Sequence, residues 1–264
     1  MTGENKFFDT LSDDQITRIP GGAKIEGSME VADNDYIHEY FNRAPITVNK
    51  AGIVASGTNG AENVMQLENC ALEYHMINTG GTSTIISPQQ VATGLDVSMD
   101  ADTSYGAEIS TGILASNKCT FTVGTSAAFF AKLRFAITDV TDAGECAFGF
   151  RKMEAYNAAI DDYDEMACIN IQAGVVNTET ILNGGGTVTT DTTLTDWGDT
   201  ETHELAVFVS AAGVVTYQYD GGEPTTVVAY TFDDTEVVIP FFHFLHAADS
   251  TAGIILKELE IGLQ

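Results

Sequence analysis

The stretch WGDTETHELAVFVSAAGVVTYQYDGGEPTTVVAYTF, residues 197–232, decides the fold class. From His203 to Val209, His203, Leu205, Val207 and Val209 alternate with Glu204, Ala206 and Phe208. That period of two is a strand. Ser210-Ala211-Ala212-Gly213 turns the chain, and Val214 to Tyr219 runs back. Asp220-Gly221-Gly222 supplies residues that tolerate a positive φ for the next turn, and Thr225 to Phe232 is expected as a third strand. The class is all-β.

Working outward, VVIPFFHFLH (237–246) and IILKELEIGL (254–263) continue the pattern downstream. Upstream, strand-like runs occupy 64–67, 72–76, 84–87, 95–99, 107–113, 120–124, 127–138 and 147–152. Runs 165–173 and 175–182 read as a hairpin about Gly174, and 187–190 follows an Asn-Gly-Gly-Gly turn. Turn signals every ten residues or so have the rhythm of a β-sandwich.

Residues 1–60 read differently, as an irregular N-terminal arm and attachment segment with one short helix, ahead of a sandwich over 61–264 that is clearest from residue 91. The helix is expected over Asp33–Phe41, capped by Asp33 or Asn34, with Tyr36, Ile37, Tyr40 and Phe41 on one apolar face. Together with Phe7, Phe8, Leu11 and Ile16 these residues are the candidate assembly surface. The first fifteen residues carry neither a basic n-region nor an apolar h-region, so no secretory signal is expected.

The charge is extreme: 38 acidic against 11 basic side chains, a formal −27. After Lys152 the only base is Lys257, against nineteen acids. Such a surface repels phosphate, so no nucleic-acid partner is expected. No apolar run approaches the ~20 residues of a membrane span, so no membrane partner is expected either. Cys70, Cys119, Cys146 and Cys168 lack metal-type spacing and read as small buried hydrophobes.

The succession AFFAKLRFAITDV (128–140), AFGFR (147–151), the 197–222 stretch, VIPFFHFLH and LKELEIG resembles the concanavalin A-like lectin/glucanase jelly rolls. A strand headed by Trp and His, a G-x-x-x-Y-x-D-G hairpin and a final amphipathic strand recur there in this order. More narrowly, it resembles the jelly-roll virion proteins of tailed phages from marine hosts. The resemblance covers about residues 91–264 and implies a concanavalin A-like jelly-roll β-sandwich. Hydrolases of that superfamily carry an E-x-D-x-x-E strand, and its lyases carry R-x-E-L-R and Q-I-H strands. None of these strings occurs here, nor does G-x-S-x-G, H-E-x-x-H or a P-loop. A non-enzyme is therefore expected.

Three constellations remain. Asp161, Asp162, Asp164 and Glu165 offer hard oxygen ligands for calcium, against the simpler reading of a solvated loop. Trp197 between Asp196 and Asp199 is either a sugar-stacking platform or an anchor at the core or rim. His203, His243 and His246 read as structural histidines, with at least one of the last two turned into the core. The first reading of function is a virion structural protein, a capsid decoration or cement protein on the shell exterior, made in the host cytoplasm. Its expected partners are the major capsid protein and itself, as a trimer. The alternative is a lectin-like module for host-surface glycans.

Overall fold

A computed structural model describes residues 36–43, 46–49, 62–77, 88–98, 105–111, 119–247 and 253–264, with the backbone alone at 46–49 and 62–63. The first compact unit, 1–33, lies outside them, and with it Phe7, Phe8, Leu11 and Ile16. All that follows concerns the second unit, Asn34–Gln264.

In chain order the strands are β1 (Ile37–Tyr40), β2 (Ile46–Asn49), β3 (Glu62–Gln66), β4 (Ala71–Ile77), β5 (Gln89–Val91), β6 (Gly94–Asp96), β7 (Gly106–Ser110), β8 (Phe121–Thr122) and β9 (Phe129–Ile137). Then come β10 (Ala143–Lys152), β11 (Met166–Gln172), β12 (Val175–Ile181), β13 (Val188–Asp191), β14 (Thr202–Val209), β15 (Val215–Tyr219), β16 (Val237–His246) and β17 (Ile254–Leu263). A seven-stranded sheet runs β15-β14-β9-β17-β6-β5, with β1 also on β17. A ten-stranded sheet runs β13-β12-β11-β10-β16-β7-β4-β3-β2, with β8 also on β16. Every pairing is antiparallel, and the chain passes repeatedly from one sheet to the other. This is a jelly-roll sandwich, and no α-helix occurs among the described residues.

Alternation decides which side chains fill the space between the sheets. Leu205, Val207 and Val209 of β14 are buried there, as are Val215 and Tyr217 of β15. Phe129 and Phe135 of β9 meet rings from the facing layer: Phe129 packs against Phe150 at 5.1 Å, and Phe135 against Phe242 at 5.1 Å. Each such ring removed from water contributes about 1.5–3 kcal/mol before ordering costs. The ten-stranded sheet also buries part of its outer face, where Ile160 and Tyr163 lie in a cluster with Met166, Cys168 and Phe241.

The hairpin about Gly174 forms as expected: Gln172 faces Val175, and Ala173 and Gly174 both take positive φ, 48° and 88°. That is the two-residue turn whose twist matches paired strands. Cys146 and Cys168 carry no disulfide; Cys146 faces the inner layer and Cys168 the outer cluster.

Two expectations are corrected. The helix over Asp33–Phe41 is instead strand β1 where described, paired in register with β17 from Ile37↔Ile261 to Tyr40↔Glu258. Ile37 and Phe41 are buried in the sandwich, while Tyr36 and Tyr40 stand exposed, so the four do not share a face. The described part of the expected arm is thus built into the sheets, and β2, before residue 60, pairs with β3 after it. The segment Thr225–Phe232 is not a strand; it makes one isolated bridge, Val214↔Thr231. Tyr219 and Gly222 close a tight turn on each other, and Pro224 then lacks the donor a third strand would need.

Candidate functional site

Strand β1 lies along the part of β17 next to the bulge between Leu256 and Glu258. Its alternate residues have separate tasks. Ile37 enters the core, and Glu39 is 2% exposed. The Glu39 carboxylate accepts the backbone N–H of Asn69 at 2.7 Å, from the turn between β3 and β4. One buried side chain thereby ties the seven-stranded sheet to a turn of the other. Burial raises its pKa, against the lowering effect of that hydrogen bond.

The outward residues form an aromatic ladder of Tyr36, His38 and Tyr40. Ring centroids are 6.3 Å apart from Tyr36 to His38, edge-on, and 4.5 Å from His38 to Tyr40, tilted. The tyrosines are 49% and 51% exposed. Tyr36 Oη donates to Glu260 Oε1 at 3.0 Å, and His38 Nε2 donates to Glu258 Oε1 at 2.8 Å. Partial desolvation and the Glu260 bond both raise the Tyr36 pKa. Two of the three rings are therefore oriented before any ligand arrives, which lowers the ordering cost of binding.

An open cleft of about 430 Å³ adjoins the Tyr40 end, lined by Tyr40, Asn42, Gln90, Thr93 and Gly94 among others. That volume lies within the ~300–1,000 Å³ typical of small-ligand sites. Gln90 Nε2 faces the carbonyls of Phe41, Val91 and Gly94 at 3.3, 3.1 and 2.9 Å, joining the β5–β6 hairpin to the end of β1. Its Oε1 is buried without a partner among the described residues. Among the described residues no aspartate or glutamate lines this cleft.

Of the residues singled out from sequence, Tyr36 and Tyr40, expected in an assembly surface, lie in this ladder, and the candidate metal, glycan and histidine residues lie elsewhere. Asp161 and Asp162 sit in a 3-10 turn, where Asp161 accepts a hydrogen bond from Thr187 Oγ1 at 2.6 Å. Asp164 pairs with Lys152 at 2.7 Å, and Lys152 also reaches Glu236 at 3.0 Å. Glu165 is buried and accepts the backbone N–H of Asp233 at 3.3 Å. The four carboxylates are not brought together, and no cluster of three or more metal-ligating side chains occurs among the described residues. Trp197 is 1% exposed, packed against Phe135 and His203. A face covered in this way cannot receive a sugar, so Trp197 is a core anchor and not a stacking platform. His243 and His246 are both buried, and burial lowers both pKa values. His203 is held between Asp220 and Glu201 at 2.6 and 3.1 Å.

Two buried polar networks on the ten-stranded sheet had no signature in the sequence. Arg151 meets Glu108 through Nη2 at 2.7 Å and Nε at 3.2 Å, and Tyr163 Oη donates to the other Glu108 oxygen at 2.6 Å. Farther along, Asn170 Nδ2 donates to Glu145 Oε1 at 3.0 Å and to Glu179 Oε2 at 2.8 Å. Desolvation first, and then the Glu179 charge, push Glu145 up to about 7. The Glu179 pKa rises as well, chiefly through burial. Asn170 and Glu179 are 0% and 2% exposed, so the centre of this network is buried, in contrast to the open ladder on β1.

No family model and no curated protein matches the chain. Solved structures do. The metal-free carbohydrate recognition domain of Emp46p is similar over 72% of this chain and 87% of that one, at 7% identity and a TM-score of 0.50. The legume lectin-like domain from Entamoeba histolytica covers 72% of this chain and 90% of its own, at 9% identity and a TM-score of 0.49. The exoplasmic domain of VIP36, in its form bound to calcium and Man3GlcNAc, covers 73% and 83%, at 10% identity and a TM-score of 0.49. At such identities the likeness is one of fold: the concanavalin A-like jelly roll expected from the sequence.

Proposed function

We propose that the chain is a non-enzymatic carbohydrate-recognition module. The observation that carries this reading is the exposed Tyr36–His38–Tyr40 ladder running into a cleft that, among the described residues, no acid lines. Aromatic faces stack on the C–H faces of pyranose rings, and the cleft adds the amide of Asn42 and the hydroxyl of Thr93 for sugar hydroxyls. The carbohydrate recognition domain of Emp46p, built on the same fold, supports the class of ligand without fixing its identity. The test is a glycan array followed by titration calorimetry on the parent and on the Tyr36→Ala/Tyr40→Ala double variant. Binding by the parent that falls at least roughly tenfold in the variant, about 1.4 kcal/mol, supports the reading. Binding that ignores both tyrosines refutes the site.

The virion reading stands beside it as a proposal. What supports it is the net charge of −27, suited to a surface facing the medium rather than packaged DNA. A capsid-exterior location, a major capsid protein partner and a trimer all belong to that proposal. A decoration protein that carries a glycan site would satisfy both readings. Co-sedimentation of the purified protein with undecorated shells tests it, and a protein left wholly in the supernatant removes it.

A further inference from the structure

The ladder also restricts what kind of glycan fits, an inference that rests on the carbohydrate reading above. The geometry points to a neutral, extended oligosaccharide bound along its length on β1, with one sugar unit entering the cleft beside Tyr40.

Length comes from the strand. Residues on one face of a strand recur every ~6.6 Å; β1 places His38 and Tyr40 at successive outward positions, and Tyr36, just before the strand, adds a third ring. These rings form a continuous row and not a single platform. Among the described residues β1 pairs only with β17, so the row lies at a sheet edge where a chain longer than the row can pass.

Neutrality comes from the charges around the row. The nearest ionised side chains are the carboxylates that orient the rings, Glu258 and Glu260. The described cations nearby are Lys132, Arg43 and Lys257. Lys132 is held by Glu260 at 3.3 Å, and Arg43 by Glu68 at 2.9 Å. Lys257 contributes to the cleft lining, but its Nζ reaches Thr202 Oγ1 at 2.7 Å, on strand β14. Along the row a uronate or sulfated sugar would meet two carboxylates, only one of them, Glu260, paired with a described lysine, within a protein of net charge −27. A neutral pyranose carries no charge for Glu258 and Glu260 to repel.

The test titrates the full chain with neutral gluco-, manno- and xylo-oligosaccharides from monomer to hexamer, and with oligogalacturonates of the same lengths. In at least one neutral series, affinity should rise by roughly two- to tenfold for each added unit that gains a ring, and then level off. Tyr36→Ala should make the plateau arrive at a shorter chain, whereas Tyr40→Ala should weaken every length. Tyr36→Phe, which keeps the ring and loses only the bond to Glu260, should retain the length dependence. A monosaccharide that binds as tightly as its hexamer overturns the inference but leaves the carbohydrate reading in place. An oligogalacturonate that binds more tightly than every neutral series does the same. No binding by any sugar overturns both. In that case, loss of a dimer in the double tyrosine variant would assign the ladder to a contact between copies.

Discussion

Replacing Glu145 by glutamine should make stability less dependent on pH, in a direction the network fixes. In the folded protein the Glu145 carboxyl is pushed up to about 7 by desolvation and by Glu179, from an ordinary value of 4.5. A group whose folded pKa is raised contributes stability that is fully present below its unfolded pKa and is lost as pH rises through the folded one. The window is therefore about pH 4.5 to somewhat above 7. The Glu145 side chain is 17% exposed, so solvent screens the effect only in part. A shift of that size corresponds to about 3 kcal/mol, to order of magnitude. The amide of the E145Q variant would keep the acceptor for Asn170 Nδ2 and would not titrate. Relative to the parent, E145Q should therefore gain stability steadily from pH 4.5 to 8. For a chain of this size that amounts to ~6–12 °C in melting temperature between the two ends. The facing groups make the comparison with the parent essential. His243 lies 3.7 Å from Glu145, and its lowered pKa favours the fold as pH rises, the opposite trend. Glu179 is raised, as Glu145 is. Chemical denaturation of both proteins at fixed ionic strength over this range is the assay. A stability difference that stays flat with pH, or falls as pH rises, would refute the argument.

Three further outcomes follow from the packing. Glu108→Gln leaves the Arg151 guanidinium buried beside a neutral partner and should cost about 3–5 kcal/mol in denaturant unfolding, the usual result of halving a buried pair. Gly149→Ala drives a Cβ into the Ala167 carbonyl and the Cys168 backbone on the neighbouring strand; the expected loss is ~1–3 kcal/mol, and an unchanged midpoint would mean that β10 and β11 sit farther apart than described. With Asp164 committed to Lys152 and Asp161 to Thr187, calcium should raise the melting temperature no more than magnesium does at equal ionic strength; a calcium-specific rise would show that these carboxylates rearrange into a site.

The sandwich was legible because its long strands state their own faces. In β9 apolar residues recur at every second position over nine residues, and in β14 from Leu205 to Val209, which no helix tolerates; β16 is a near-continuous apolar run, and β17 alternates on either side of its bulge. The hairpin at Gly174 was legible for the same reason, with a left-handed turn placed between two such runs. Thr225–Phe232 misled because it has β-branched residues, yet after the tight turn at Tyr219–Gly222 and Pro224 it meets the edge of β15 only around the single bridge Val214↔Thr231. Val227 and Val228 end up 42% and 47% exposed. The buried networks were not legible at all. Glu108, Arg151, Asn170 and Glu179 are far apart in the sequence and meet only when the register of β7, β16, β10, β11 and β12 is fixed.

The β1 ladder was missed for a reason that also says how such a site is found. Four residues, Tyr36, Ile37, Tyr40 and Phe41, satisfy a helical spacing, and over so short a segment the helical and extended patterns compete on nearly equal terms. The extended pattern was present in the same letters: rings at 36, 38 and 40, with Ile37 and Glu39 between them. Glu39 obscures it, because a glutamate on the inward face breaks the apolar alternation. In the fold that glutamate is the residue that fastens β1 to the turn at Asn69. What selects the strand is non-local: the edge of β17 beyond the bulge at Lys257 has amides and carbonyls that β1 pairs in register. Once β17 supplies that edge, Ile37 and Glu39 must turn inward and the three rings outward. The exposed aromatic surface is then a consequence of the core's own pairing. It follows that Ile37 and Glu39 should control the ladder without touching a ligand: changing either should release β1 and weaken glycan binding, with both tyrosines still in the chain.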